Sequence, residues 1–396
     1  MSSNQLEFFL SADPELKAEA ITAPQEKPAL FLLDGMAIIY RSFFALQRAG
    51  MTSRDGMPTG AIYGFASALF KIFETYKPHY LAAVFDSKEK TFRHDMYPAY
   101  KANRQTPPED LIVQLDAVFE LLDALDIPLL KVPGYEADDL IGTAARKFED
   151  SCQVYIVTPD KDLAQLVHDG VKILKPGKNQ NELELFGKKE IAGQFGVAPE
   201  LFTQFLTLTG DTSDNIPGAK GIGPKTASSL LGTYGSIENI YKHLNDISQK
   251  NRQSLEEFLP QLDLITKLVT IRTDLHINVT LKELECGVPD RSKLLPLLQK
   301  LGLKTIISRL PVVFNDYEQS PADEASMQRH QSEEPEDKQP ELLSPLTGAE
   351  YTLVDTVEKL NELVLSLKNA KRVAVDTETT SLDTFEAELA GVEASF

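Results

Sequence analysis

Short apolar runs that end in aspartate recur along the chain. Residues 29–34 read ALFLLD, residues 81–86 read LAAVFD, and residues 154–160 read VYIVTPD. Uninterrupted apolar runs of this length are typical of central parallel strands that are buried on both faces. Amphipathic stretches separate the runs, and this alternation over residues 29–310 predicts an α/β domain. Because ligands bind outside the carboxyl ends of such strands, we expect the three aspartates to meet at one edge of the sheet.

Two further segments contribute acids to this predicted edge. Glu136, Asp138 and Asp139 lie in the string GYEADDL, where one or two acids would simply favour the dipole of a helix start. Three acids in four positions exceed what capping needs, and Glu136 and Asp139 share one helix face. Asp211 and Asp214 lie in TGDTSDNIPG, which taken alone is more typical of an Asx turn. Beside the other segments, it looks like the remaining part of a two-metal site.

Such crowding of carboxylates predicts a site for hard cations. Uncompensated carboxylates repel one another and raise each other's pKa, so a cluster of them needs positive charge. Ligand sets made only of oxygen suit Mg²⁺ or Mn²⁺. The candidate metal ligands are Asp34, Asp86, Glu136, Asp138, Asp139, Asp160, Asp162, Asp211 and Asp214.

A glycine-rich segment after Asp214 predicts a helix–hairpin–helix. It reads PGAKGIGPKTASSLL over residues 217–231 and includes Gly218, Gly221 and Gly223. Glycine allows close approach of another backbone, and Pro224 fits the first turn of a helix. The free N–H groups at that helix start can hold a phosphate, and Lys225 adds charge. The alternative is a simple glycine-rich turn.

Basic and aromatic residues are interleaved between residues 87 and 104. Five bases accompany three aromatic rings: Lys88, Lys90, Phe92, Arg93, Tyr97, Tyr100, Lys101 and Arg104. Such mixtures suit single-stranded nucleic acid, because bases stack on rings and phosphates meet cations. A solvated polar loop is the alternative, but a phosphodiester is the obvious substrate for basic residues beside a carboxylate cluster.

The net charge of −19 at first argues against a nucleic-acid partner. Its distribution weakens that objection, since residues 315–350 alone carry ten acids and two bases, and nine further acids belong to the proposed metal site. No apolar run could span a bilayer, the N-terminus does not resemble a signal peptide, and the two cysteines lack metal-type spacing. A cytoplasmic protein without a membrane partner is expected.

Composition divides the chain into five regions. Residues 1–28 are expected to be a disordered tail, residues 29–200 the catalytic region and residues 201–310 the helix–hairpin–helix region. Residues 311–348 have too few large apolar side chains to form a core, and they predict an acidic disordered linker. Residues 349–396 begin a second domain, with a strand at 372–376, and stop inside it. We therefore expect the chain to be a fragment of a longer protein.

These strings resemble a known family. LLDG with Arg41, VFD followed by FRH, YKANR, GYEADD, TPDKDL and GDTSDNIPG occur in the order found in the 5′ nuclease domain of bacterial DNA polymerase I, which is related to flap endonucleases and phage 5′ nucleases. The resemblance covers about seven-tenths of the chain. It implies a PIN-like α/β fold with a helical arch. Residues 349–396, with Asp376 and Glu378 in VDTET, resemble the start of a ribonuclease H-like 3′–5′ exonuclease domain.

The resemblance also implies roles for individual residues. One Mg²⁺ or Mn²⁺ ion would lie near Asp34, Asp86, Glu136, Asp138 and Asp139, and a second near Asp160, Asp162, Asp211 and Asp214. The residues expected to act in catalysis are Asp34, Asp86, Arg93, Lys101, Asp139 and Asp160. The residues expected to contact DNA are Arg41, Arg93, Tyr100, Lys101, Arg104, Gly218, Gly221, Gly223 and Lys225, with Tyr100 stacking on an unpaired base. A potassium ion in the hairpin is implied as well.

The implied task is cleavage of 5′ flaps, nicks and RNA–DNA primer junctions in replication and repair, by a monomer with a polymerase domain in cis. One alternative is a catalytically silent DNA-binding scaffold for the polymerase, although such a module gains nothing from nine carboxylates facing a polyanion. A weaker alternative is a proofreading fragment, which the single acidic motif at Asp376 cannot support alone.

Overall fold

The computed structural model describes residues 27–177 and 183–314, together with Lys359 and the backbone at 374–379 and 389–395. The chain forms two compact units that divide between Met327 and Gln328. The first unit contains one large sheet, made of β1 Ala29–Asp34, β2 Tyr80–Val84, β3 Leu129–Leu130, β4 Gln153–Val157, β5 Val171–Pro176 and β6 Leu183–Phe186. The α-helices among the described residues of this unit are α1 Gly35–Leu46, α2 Gly60–Tyr76, α3 Phe92–Met96, α4 Glu109–Ala124, α5 Ala137–Phe148, α6 Lys188–Phe195, α7 Phe202–Thr209, α8 Pro224–Tyr234, α9 Ile237–Lys242, α10 Gln249–Phe258, α11 Leu262–Val269, α12 Arg291–Lys300 and α13 Lys304–Phe314.

The predicted parallel sheet is confirmed, and the three strands that lead to aspartates lie at its centre. The strand order is β3-β2-β1-β4-β5-β6. β1 pairs in parallel with β2 on one side and with β4 on the other. Within this sheet, β6 is the antiparallel edge strand. Because the chain places β2 and β4 on opposite sides of β1, the carboxyl ends of β1 and β4 flank a topological switch point, where open α/β sheets bind ligands.

Both faces of β1 are buried, as its uninterrupted apolar run predicts. Leu30 and Leu32 belong to one hydrophobic cluster that includes α5, while Phe31 and Leu33 belong to a second that includes α1 and α2. All four side chains are at most 1% exposed. Burial of each such side chain contributes about 1.5–3 kcal/mol. The sheet is therefore the middle of three layers, and its central strands are held from both sides.

The predicted helix–hairpin–helix is also present. α7 leads into the hairpin of β7 Gly210–Asp211 and β8 Ile216–Pro217, and α8 follows with a proline in its first turn. A β-carbon on Gly218 would stand 2.3 Å from the carbonyl carbon of Thr209, so the hairpin itself requires glycine at this position.

The last described helix of the first unit packs on a helix that covers the sheet. α13 packs on α2, where Phe314 lies edge-on against Phe70 and Arg309 makes two hydrogen bonds to Glu74. α13 extends to Phe314, which is buried. It therefore occupies the first four residues of the predicted linker, which begins at residue 311. The remainder of that linker and residues 1–26 of the predicted tail lie outside the described residues. The other domain boundaries stay predictions.

The second unit contains a strand where the sequence predicts one. β9 Ala374–Thr379 includes Asp376 and Glu378, and it pairs antiparallel with β10 Leu389–Ser395. In the described part of the chain, no helix is long and apolar enough to cross a bilayer.

Gly142 allows α5 to approach the loop that follows α11. A β-carbon there would stand 2.8 Å from Ile271 Cγ2 and 3.0 Å from the Arg272 carbonyl oxygen. We therefore expect Gly142→Ala to lower the free energy of unfolding by about 1–3 kcal/mol through overpacking. The matched control is Gly232→Ala in α8, where an added β-carbon meets nothing within 4 Å. That change should raise the free energy of unfolding by about 0.5–1 kcal/mol. Urea denaturation measures both, and shifts of the same sign would contradict the expected clash.

Candidate active site

The hydroxyl group of Thr158 joins the carboxyl ends of β1 and β4. It donates to Asp34 Oδ2 over 2.8 Å and accepts from the backbone N–H of Asp160 over 2.9 Å. Asp34 Oδ1 accepts from the backbone N–H of Ala37 in the first turn of α1. The structure thus brings Asp34 and Asp160 to one edge of the sheet, as the sequence predicts.

Asp86 links the end of β2 to the start of α5. Its Oδ1 accepts from the backbone N–H of Ala137 over 2.8 Å and so satisfies one of the free donors of the helix N-terminus. Glu136 lies at the N-cap of α5, and Asp138 and Asp139 lie in its first turn. The helix therefore delivers its acids to the edge of the sheet that carries Asp86.

Four of the nine acids have raised pKa values. Burial and the charge of Asp160 raise the pKa of Asp34 to about 7. Burial and the charges of Asp160, Asp34 and Asp86 raise the pKa of Asp138 well above its usual range. Burial also raises the pKa of Asp160 and of Asp162, and neighbouring aspartates add to both shifts. These carboxylates repel one another without enough positive charge to compensate, and a cation would relieve that repulsion.

Glu136, in contrast, is already neutralised by the protein. Its carboxylate accepts hydrogen bonds from the side chains of Thr91, Tyr100 and Lys101. Burial would raise the pKa of Glu136, but the charges of Lys101 and Arg93 outweigh burial and lower this pKa to about 2. Glu136 therefore remains a carboxylate whether or not a metal ion is present.

Arg93 is engaged within the protein in this structure. It makes two hydrogen bonds to Asp139, of 2.7 and 2.8 Å, and donates to the carbonyl oxygens of Leu268 and Thr270. Arg93 is 3% exposed and Asp139 is fully buried. A contact of Arg93 with phosphate, or of Asp139 with a metal ion, therefore requires this pair to open. Both roles stay predictions.

Tyr100 is buried among the acids, whereas stacking on an unpaired base would need an exposed ring. Tyr100 is 3% exposed, and its hydroxyl oxygen lies 2.9 Å from a carboxylate oxygen of Glu136 and 2.9 Å from one of Asp214, which share its one proton. Arg104 also donates to Asp214, and the Lys101 ammonium lies 3.7 Å from it. The basic stretch is thus folded onto the acids. Stacking on a base would require Tyr100 to leave this site.

Asp162 and Asp211 lie on either side of Lys161. The Lys161 ammonium is 3.8 Å from Asp162 Oδ1 and 3.6 Å from Asp211 Oδ1. Asp162 Oδ1 is buried and has no hydrogen-bond partner. An orphaned carboxylate oxygen of this kind is suited to a cation, because a buried charged acceptor without a donor is costly.

Taken together, the donor set fits a hard divalent cation. Its atoms are carboxylate oxygens, the ligands that Mg²⁺ and Mn²⁺ prefer. Within residues 27–177 and 183–314, however, no group of three or more acidic, histidine or cysteine side chains is placed so that it could hold a metal ion as it stands. The mutual pKa shifts of Asp34, Asp138, Asp160 and Asp162 place these acids within electrostatic range of one another. Waters or phosphate oxygens would have to complete the coordination.

The hairpin presents an exposed helix start. Gly221, Gly223 and Lys225 are exposed, and Gly223 is the N-cap of α8. The side chain of Lys250 at the start of α10 approaches Gly221, with its Cε 3.9 Å from the position of an added β-carbon. Arg41 lies on α1 and donates to the carbonyl oxygen of Gly177, so one of its N–H groups is already used.

Sequence reasoning missed several residues of this region. Thr158 and Lys161 are adjacent to predicted acids in the string TPDKD, so a signal was available for both. Thr91 and Lys250 reach the site or the hairpin only through tertiary packing, and nothing in the local sequence indicates them.

Three family models match the chain. Residues 29–196 match the N-terminal resolvase-like domain of 5′-3′ exonucleases, and residues 197–292 match their C-terminal SAM fold. Residues 351–396 match a 3′-5′ exonuclease domain.

Curated relatives include both a short and a long protein. A 5′-3′ exonuclease of Aquifex aeolicus is 40% identical over 291 residues, which cover 73% of this chain and 98% of the relative. DNA polymerase I of Chloroflexus aurantiacus is 35% identical over 382 residues, which cover 92% of this chain and 40% of the relative. DNA polymerase I of Bacillus subtilis is 37% identical over 287 residues, or 72% of this chain and 32% of the relative. The chain thus spans a third to two fifths of these polymerases.

Two solved structures of a bacteriophage T5 enzyme share the fold. T5 5′-exonuclease with bound zinc has a TM-score of 0.53 at 22% identity and covers 71% of this chain and 98% of its own. A substituted T5 D15 flap endonuclease, in a pseudo-enzyme-product complex with DNA and metal ions, has a TM-score of 0.52 at 20% identity. The match covers 72% of this chain and 99% of the T5 chain. The predicted PIN-like α/β fold is confirmed. With the Aquifex relative matched over nearly its whole length, the chain belongs to the 5′-3′ exonuclease family and is a nuclease.

Proposed function

We propose that this chain is the 5′-3′ exonuclease and flap endonuclease part of a bacterial DNA polymerase I and that it cuts phosphodiester bonds with two divalent cations. The observation that carries the proposal is the convergence of Asp34, Asp138 and Asp160, whose repulsion the protein compensates only in part. The polymerase I relatives and the T5 flap endonuclease support it.

The cations would be held by the acids at the sheet edge. Asp34, Asp86 and Asp138 would hold the first, with Glu136 and Asp139 acting through water or after release from their present partners. Asp160, Asp162 and Asp211 would hold the second, assisted by Asp214. When bound, Mg²⁺ or Mn²⁺ supplies a water of lowered pKa and stabilises charge on the departing 3′ oxygen.

The chain's own residues would position the substrate. The exposed N–H groups at the start of α8 and the charge of Lys225 would hold duplex backbone without reading its sequence. An incoming phosphate would compete with Glu136 and Asp139 for Lys101 and Arg93, which would then offset charge at the reacting phosphate. Gly218, Gly221 and Gly223 would shape the hairpin, where backbone oxygens would also bind a potassium ion.

The proposed task is removal of RNA primers and displaced flaps in the bacterial cytoplasm. The enzyme would act as a monomer with its polymerase domain in cis. The exposed hairpin and the acid edge belong to one compact unit, and one stretch of DNA backbone would contact both.

Loss of one ligand acid should separate cleavage from binding. Asp160→Asn and Asp139→Asn should each reduce cleavage of a 5′-flap duplex in Mg²⁺ by at least about 100-fold, because removing one group that stabilises transition-state charge costs this much. DNA affinity should not fall in proportion, since neither change removes a group expected to contact DNA. The control is Asp169→Asn, an exposed acid paired with Lys188. Equal losses of cleavage and binding would count against the assignment, and wild-type protein that leaves the flap uncut would favour a silent DNA-binding scaffold.

Lys225 should contribute one phosphate contact. We expect Lys225→Ala to weaken DNA binding at all sequences and to reduce the slope of log K against log salt by about 1. Lys293→Ala is the control, because that ammonium pairs with Asp123 on α4. Fluorescence anisotropy between about 50 and 200 mM salt gives both slopes. An unchanged slope for Lys225→Ala would remove the hairpin from the DNA footprint.

Asp34 should make the metal-free protein less stable as pH rises. Its folded pKa of about 7 lies above its usual value of 3.8, so the folded state holds a proton that the unfolded state has lost between these values. Stability is therefore lost as pH rises from about 4 towards about 7. In EDTA, the melting temperature of Asp34→Asn should exceed that of wild type, and the excess should be larger at about pH 8 than at about pH 5. Mg²⁺ should raise the wild-type melting temperature more than that of the variant. A pH-independent difference in EDTA would contradict the assigned repulsion.

A further inference from the structure

Lys161 is a cation built into the middle of the second group of acids. Its ammonium stands 3.6 Å from Asp211 Oδ1 and 3.8 Å from Asp162 Oδ1, although these acids belong to β7 and to a short 3₁₀ helix after β4. Its side chain is 25% exposed, so the charge is partly withdrawn from water. A single side chain thus bridges two elements that the proposed second metal ion would also bridge.

The ammonium is charged at any working pH. Burial would lower the pKa of Lys161, but Asp162, Asp211 and Asp160 outweigh burial and raise this pKa above its usual value. It nevertheless leaves Asp162 Oδ1 without a hydrogen bond. A monovalent charge at these distances therefore stabilises the acids only in part, and a divalent ion would stabilise them further.

In the described part of the chain, Asp34 and Asp138 of the first group have no cation as near to them as Lys161 is to Asp162 and Asp211. Among the described residues, Asp34 and Asp138 form no ion pair within 4.0 Å, and Lys101 and Arg93 are directed to Glu136 and Asp139. The two halves of the edge therefore differ in charge balance before any metal ion binds.

We propose that Lys161 is an internal counter-ion that a divalent cation must displace in order to occupy the Asp162–Asp211 half of the site. The inference rests on the proposed function, since it concerns the second cation of that site. Displacement makes this half bind cations more weakly than the Asp34–Asp138 half. A phosphodiester that binds at the edge adds negative charge. The added charge favours a divalent cation over the Lys161 ammonium as the counter-ion of Asp162 and Asp211. Lys161 thereby couples completion of the metal site to arrival of substrate.

Mn²⁺ binding to the full chain tests this directly. EDTA-treated wild type, Lys161→Met, Lys161→Gln, Lys161→Arg and Lys188→Met are titrated with Mn²⁺ in the absence of DNA, with free Mn²⁺ measured by electron paramagnetic resonance. The two neutral variants should tighten the weaker class of sites about tenfold, equivalent to about 1.4 kcal/mol, and leave the tighter class unchanged. Lys161→Arg keeps the charge and should match wild type. Lys188→Met, which also removes a lysine with two carboxylates within 4 Å, should match it too.

Melting temperatures provide a second readout. Without metal, Lys161→Met should melt below wild type, because Asp162 and Asp211 lose their counter-ion. Mn²⁺ should raise the melting temperature of this variant by more than it raises that of wild type. Unchanged or weaker Mn²⁺ binding in whichever neutral variant folds would overturn the role of Lys161 while leaving the proposed function intact. Wild-type protein that binds no Mn²⁺ would instead overturn the proposed function.

Discussion

Repulsion among carboxylates is the constraint on which the rest of this structure depends. The sheet delivers acids from β1, β2 and β4 to one edge, and α5 adds more, so that the pKa of Asp34 rises to about 7. Such an edge opposes folding unless something else holds it together. The central strands are buried on both faces by two hydrophobic clusters, and the stability of those layers is what allows the charges to stay in place.

The protein divides this repulsion between two solutions. Glu136, Asp139 and Asp214 are neutralised from within by Lys101, Arg93 and Arg104. Asp34, Asp138, Asp160 and Asp162 are left with raised pKa values. The internal ion pairs hold the basic stretch of residues 87–104 against the site. The acids with raised pKa values leave carboxylate oxygens that favour a cation. Since both involve the same edge, a substrate phosphate that attracts the bases would also release acids, and the two processes cannot be independent.

The sequence predicted those parts of the site that depend on local pattern. An apolar run ending in aspartate specifies a buried strand and the place of its acid, and the string after Asp214 specifies a hairpin and a helix start with Pro224. The pairing of Arg93 was not predictable in this way. Its guanidinium meets Asp139 and the carbonyl oxygens of Leu268 and Thr270, which lie 46 to 177 residues away in the chain. Only the packing of α3 against α5, α11 and the loop after α11 brings these groups together, and no local periodicity encodes it.

The same pairing explains why an acidic motif alone cannot specify which acids are free. Asp138 and Asp139 are adjacent in sequence, but one faces the cluster around Asp34 and the other is enclosed by Arg93 and the backbone N–H of Arg272. Successive residues on a helix project about 100° apart, so neighbours in the first turn of α5 must enter different surroundings. The loop that carries Arg272 can approach because Gly142, one turn further along α5, has no side chain. The packing that Gly142 allows therefore helps to determine which acids at the edge of the sheet are paired and which are available to a cation.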